Sequence, residues 1–265
     1  SGSHSKTPAI QQGKAMNYCL QAAQSIEVGK FAEAKSLVDS ALTYRPDFAV
    51  FHQTRGWLLA RLDQPDSAIA SYKRSLGYKS HAPNIWGALG IQFLKIASYE
   101  EASYWLEKAV AAFPDSSDLY LQLTDSYYRR GNNTRTLSII DAYQRRFTSP
   151  HPPILYKLRG ISFFAEEQYA AARAELQYYC DLKFNDGEGW KYLGMAAFHL
   201  GDSEVAVSAL NKAQPRLPGD SEIFLYRARY FRGADKHDIA MEQVEIGLQK
   251  NPDNAELLTE KGILL

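Results

Sequence analysis

The apolar positions of this chain fall at helical spacing, in short runs of similar length separated by turn signals. Trp86, Leu89, Gly90 and Phe93 lie at i, i+3, i+4 and i+7, one face of an α-helix. A turn follows at Ala97-Ser98, and a second helix opens at Tyr99-Glu100-Glu101-Ala102. It carries its apolar positions through Leu106 and Ala109. Phe113-Pro114-Asp115 ends it, because proline lacks the N–H that would continue the ladder. The pattern predicts two short helices, and then it begins again.

What recurs most regularly is a small residue. Ala22, Gly56, Gly90 and Thr124 are each 34 residues apart, Thr124 and Gly160 are 36 apart, and Gly160, Gly194, Ala228 and Gly262 return to 34. A second comb runs twelve residues behind the first, through Ala34, Ala68, Ala102, Thr136, Ala172, Ala206 and Ala240. Gly90 and Ala102 are small because two helix backbones must approach closely there. A period of about 34 residues predicts a stack of helix pairs. The length of 265 residues would otherwise imply one or two globular domains.

The pattern resembles the tetratricopeptide repeat, whose signature places W, L-G, Y, A, F, A and P at fixed offsets. Trp190, Leu193, Gly194, Gly201, Ala206, Leu210, Ala213 and Pro218 match it nearly in full, as does Trp86 to Pro114. Gly29, Phe31, Ala34, Ala41 and Pro46 carry it in the first repeat, and Phe231, Ala240 and Pro252 in the last. The resemblance implies an all-α, right-handed superhelical solenoid. Its expected division is a lead-in over 1–14, seven repeats over 15–254, and the start of an eighth repeat or a cut capping helix over 255–265. The first five residues, SGSHS, read as an expression-vector remnant.

Two places depart from the pattern. In the fourth repeat, 117–150, Thr124 and Thr136 replace the small residues and Tyr143 replaces an alanine. Two added residues, His151-Pro152, follow it and are expected to alter the local stacking angle, through drift or as a bend that serves a ligand. At the other departure, the chain ends on Gly262-Ile263-Leu264-Leu265, where a natural cap would be polar, so a longer parent protein is expected.

In proteins of this family the first helix of each repeat lines a concave groove, with the second, fifth, ninth and twelfth residues facing it. Steps of three and four keep those positions on one helical face. Carried over by position, the resemblance implies a partner-binding set of Trp57, Tyr128, Lys157, Ile161, Phe164, Lys191, Met195, Phe198, Arg229 and Arg232. Aromatic side chains and methionine suit an apolar or amphipathic peptide. The cations, with His199 nearby, suit acidic residues on that peptide or an anionic sugar chain. The opposing reading is that the apolar residues pack against neighbouring helices and that Lys157 and Lys191 pair with Glu188 or another solvated acid. The clamp for an acidic chaperone terminus needs Lys at the fifth and Asn at the ninth residue of a repeat. Lys157 is followed by Ile161 and Lys191 by Met195, which speaks against that partner.

Charge narrows the partners only a little. Lys+Arg and Asp+Glu stand at 30 each, so the basic excess of a duplex-binding protein is missing and nucleic acid is not expected. No apolar run reaches the roughly 20 residues of a membrane span. Cys19 and Cys180 sit almost five repeats apart and are expected to be unpaired. The histidines lack the spacing of a helical metal pair, and no Cys-x-x-Cys, phosphate-cradling loop or Gly-x-Ser-x-Gly elbow occurs. No cofactor, metal or catalysis is expected.

The sequence therefore predicts a non-enzymatic scaffold that binds a partner peptide or protein segment in its groove. The alternative is a repeat region of a larger bacterial envelope, secretion or polysaccharide-export assembly factor, cytoplasmic or periplasmic, binding assembly partners or an anionic polysaccharide. Exposed end repeats leave a homodimer open.

Overall fold

A computed structural model describes residues 7–79 and 82–265. The expected vector remnant lies outside the described residues. Among them there are fifteen α-helices and no strand. The chain divides into two compact units, one up to Gly131 and the other from Asn132 to Leu265. The division falls inside the divergent fourth repeat, at the turn between its two helices.

The first unit holds α1 (Thr7–Glu27), α2 (Phe31–Tyr44), α3 (Ala49–Arg61), α4 (Pro65–Tyr78), α5 (Pro83–Lys95), α6 (Tyr99–Ala112) and α7 (Ser117–Arg129). The second holds α8 (Asn133–Arg146), α9 (Pro153–Ala165), α10 (Tyr169–Leu182), α11 (Gly187–His199), α12 (Ser203–Ala213), α13 (Ser221–Gly233), α14 (His237–Lys250) and α15 (Ala255–Leu264). Within each unit consecutive helices pack on one another, and a first helix also touches the first helix of the next repeat, as α11 does with α9 and α13. α1 begins at Thr7, ahead of the expected repeat start at residue 15.

The combs have a direct packing cause. A Cβ on Gly90 would lie 2.4 Å from Leu106 Cγ, one on Gly160 2.6 Å from Leu176 Cγ, and one on Gly194 2.7 Å from Leu210 Cγ. In each pair the large partner sits sixteen residues later, on the second helix of the same repeat. Ala22 with Val38 and Ala228 with Val244 keep the same register inside their apolar clusters. Every residue of the second comb, from Ala34 to Ala240, is fully buried. Thr124 and Thr136 tolerate burial because their hydroxyls donate back to the Tyr120 and Asn132 carbonyls, at 2.8 and 2.9 Å.

The turns between paired helices repeat as strictly as the helices do. Gly29, Asp63, Ala97, Gly131, Glu167, Gly201 and Asp235 all have φ between 54° and 75°. They stand at the same position of seven successive repeats. At Glu167 the amide donates to the Phe164 carbonyl, and the next amide, Gln168, donates to Phe163. The same pair of bonds recurs at Gly29, Asp63, Ala97, Gly201 and Asp235. This is the Schellman arrangement, which satisfies the last carbonyls of one helix and reverses the chain into its partner.

Candidate functional site

The first helices α9, α11 and α13 of the second unit carry most of the expected partner-binding residues. Their N-termini are set by side chains. Asp186 accepts the Glu188 and Gly189 amides at the start of α11, Asp220 accepts the Glu222 amide at the start of α13, and Asn254 accepts the Leu257 amide at the start of α15. These three caps stand 34 residues apart, at one position of successive repeats, whereas α3, α5, α7 and α9 start without a side-chain cap.

The caps do a second job. Lys157 on α9 reaches forward to Asp186 at 2.8 Å and Glu188 at 2.6 Å. One repeat later Lys191 on α11 reaches Asp220 and Glu222, both at 2.9 Å. On α13 the cations move along the helix: Arg229 contacts Glu256 at 2.9 Å, and Arg232 contacts Glu260 at 2.5 Å. The result is an ion-pair ladder stitching each first helix to the next. Burial alone would lower the Lys191 pKa, but the hydrogen bonds and charges of Asp220 and Glu222 outweigh it and raise it. The same balance raises Lys157. Burial would raise Asp186, yet Lys157 and the Tyr179 hydroxyl, which donates to it at 2.6 Å, hold it below the usual carboxylate range.

At the opposite ends of these helices the rings gather. Phe164 lies edge-on to Tyr169, Tyr192 and His199, at 5.4–5.9 Å between centroids. His199 stacks on Tyr169 at 4.2 Å with planes 5° apart, and its Nε2 is 3.0 Å from the Tyr226 hydroxyl. Phe198 stands edge-on to Tyr226 at 5.3 Å. Three repeats thus share one aromatic cluster. Tyr226 is buried, Phe164, Tyr169, Tyr192 and Phe198 are half-buried, and His199 is exposed. Burial and the nearby Arg229 charge lower the His199 pKa, against the opposing Glu167.

Phe164 and Phe198 therefore come together with their rings partly at the surface. Ile161 and Met195 do not join them: they are 5% and 3% exposed, and burial removes them from any surface a partner can reach. Lys191 is buried and Lys157 half-buried, and each is paired with two acids, so neither presents the free positive charge expected of a cationic wall. Arg229 and Arg232 are half-buried and likewise paired. Trp57 and Tyr128 belong to the first unit. Trp57 is exposed, edge-on to Phe31 at 5.8 Å with the Arg61 guanidinium above it, and Tyr128 is half-buried on α7. Sequence reasoning missed Tyr169, Tyr192 and Tyr226, and the acid caps. Tyr192 and Tyr226 are 34 apart, as are Asp186 and Asp220, which is the signal that would have found them.

Other chemistry is sparse. Both cysteines are free thiols. Burial, then the Asp186 and Asp181 charges, push Cys180 up to about 12. Among the described residues no cluster of His, Cys, Asp or Glu could hold a metal ion, and no helix is long and apolar enough to cross a membrane.

Helix pairs repeated at 34 residues, closed by Schellman turns and packed first helix to first helix within each unit, define a helical-repeat fold. The fold is that of tetratricopeptide-repeat proteins. The family described as "Tetratricopeptide repeat" matches residues 54–117. Human "Tetratricopeptide repeat protein 13" is 26% identical over 152 residues, covering 57% of this chain and 16% of the relative. Among solved structures, the hetero-tetramer of the anaphase-promoting complex proteins Cut9 and Hcn1 aligns with TM-score 0.61 and 18% identity, over 94% of this chain and 48% of the other. The C-terminal part of a repeat-containing protein from Cytophaga hutchinsonii aligns with TM-score 0.62 and 18% identity, over 91% and 98%. The chain thus spans less than half the length of the curated relative and of the first of these structures. At such identities the structural likeness carries the fold. Tetratricopeptide repeats generally mediate protein–protein interaction, and the family is typically non-enzymatic.

Proposed function

We propose that this chain is a non-enzymatic scaffold that holds a segment of a partner protein against the first-helix face of its second unit. We read it as seven repeats over 15–254, with α15 in the register of an eighth first helix. The observation that carries the reading is the cluster of Phe164, Tyr192, Phe198, His199 and Tyr226, shared by three repeats and left partly open. Rings at a protein surface offer large apolar area at small cost in side-chain entropy, which is why they recur as interface anchors. The ion-pair ladder holds the helices that present them, so the face is formed before a partner arrives and little ordering cost remains.

The test is capture from a lysate of the source organism with wild-type protein and with the Phe164→Ala/Phe198→Ala variant, at low and high salt. A protein retained by the wild type and lost by the variant, with the helical circular dichroism unchanged, supports the reading. Because the two rings are half-buried, Phe198→Leu serves as a milder variant. A partner retained equally by all three proteins would move the site elsewhere.

A further inference from the structure

The ladder gives this face a sign. Each lysine triad combines one ammonium with two carboxylates, Lys157 with Asp186 and Glu188, Lys191 with Asp220 and Glu222, and so carries a net negative charge. The member turned to solvent is the glutamate. Glu188 keeps 42% of its side-chain surface exposed against 14% for Lys157, and Glu222 keeps 51% against 10% for Lys191. In the next step Glu256 is 65% exposed against 30% for Arg229. Glu188, Glu222 and Glu256 stand at the same position of successive repeats. Glu188 and Glu222 stand on α11 and α13, which carry rings of the aromatic cluster further along, and Glu256 extends the row of carboxylates onto α15. Glu167 adds a further exposed carboxylate close enough to act on His199.

Resting on the scaffold reading above, we propose that the partner segment is cationic, a stretch in which Lys or Arg residues accompany aromatic or other apolar ones. An acidic segment would meet ammonium groups already bonded to two carboxylates, in triads of net negative charge. A basic segment would meet the exposed glutamates, while its apolar residues reach the rings of Phe164 and Phe198. The complementarity acts across more than one repeat, so it selects segments whose basic residues are distributed along their length.

The experiment uses two fluorescent peptides on the whole chain. Packed helices stand about 8–10 Å apart and an extended chain advances about 3.3 Å per residue, so about five or six residues reach from the first helix to the third, and peptides of about ten cover all three. One peptide alternates Trp with Lys, the other Trp with Glu, and binding is read by anisotropy. The Lys peptide is expected to bind, the Glu peptide to bind at least about tenfold more weakly, and the gap to shrink as salt is raised. Exposed charge pairs are modest, roughly two- to fivefold each. The Glu188→Gln/Glu222→Gln variant should therefore weaken the Lys peptide about tenfold, and Glu245→Gln on the exposed side of α14 should not.

Equal or tighter binding of the Glu peptide, lost in Phe164→Ala/Phe198→Ala, would overturn the cationic partner and leave the scaffold reading standing. Binding of the Lys peptide that survives loss of the two rings would overturn both, since charge alone would then be acting. No binding of either peptide would also overturn both.

Discussion

Lys157 and Lys191 stand one repeat apart and are held in the same way, each by the acid that caps the next first helix and by the glutamate two residues beyond it. The arrangement links local structure to stacking. An aspartate is placed by the need to cap a helix, and the cap in turn provides the anchor for a lysine on the previous repeat.

That dual use makes the lysine more important to stability than the exposed glutamate. Lys191→Ala leaves Asp220 and Glu222 facing each other without a cation, and should lower stability by about 1–3 kcal/mol. Glu222→Gln removes a half-exposed partner while Asp220 still holds Lys191, and should cost under about 1 kcal/mol. Urea unfolding midpoints of the two variants give the ordering directly. A neutral Lys191→Ala would mean that the ladder follows the stacking without supporting it.

The turns give a prediction of opposite sign. Glu167 occupies the left-handed position at φ 58°, where Gly29, Gly131 and Gly201 stand in other repeats. A side chain there brings Cβ close to the following carbonyl, at roughly 1–2 kcal/mol, and glycine carries no Cβ. Glu167→Gly should therefore stabilise the second unit by about 0.5–1 kcal/mol, after the entropy glycine gains in the unfolded chain is deducted. Thermal melting is the check, and a lower melting temperature would show that the Glu167 side chain contributes more than its backbone strain costs.

Much of this fold was legible because one geometric demand repeats. Where Leu106, Leu176 or Leu210 fills the space beside a first helix, the facing residue sixteen positions earlier has to be Gly90, Gly160 or Gly194, and a comb of small residues results. The site was less legible, because position in a repeat tells which way a side chain points but not what meets it there. Lys191 stands at a position expected from the repeat to face a groove, but whether it presents charge depends on Asp220 and Glu222, which are about thirty residues away and arrive only through stacking. Met195 and Ile161 failed for a related reason. They share the expected lining register with Phe198 and Phe164 by sequence, yet both are buried in the folded chain.

The aromatic cluster should respond to acid through His199. Burial, then the Arg229 charge, place its pKa below the ordinary histidine value of 6.5. The folded protein thus keeps the ring neutral at pH values where the unfolded chain has taken up a proton. Its contribution is full above about pH 6.5 and is lost as the pH falls from there through the lowered folded value. Protonation adds a positive charge close to that of Arg229. Binding of an apolar partner segment at the rings should weaken over the same window. An NMR titration of the histidine ring protons measures the shift, and Arg229→Gln should move the pKa back upward by removing the repelling charge. A His199 that titrates at or above 6.5 would show that Glu167 outweighs both burial and Arg229.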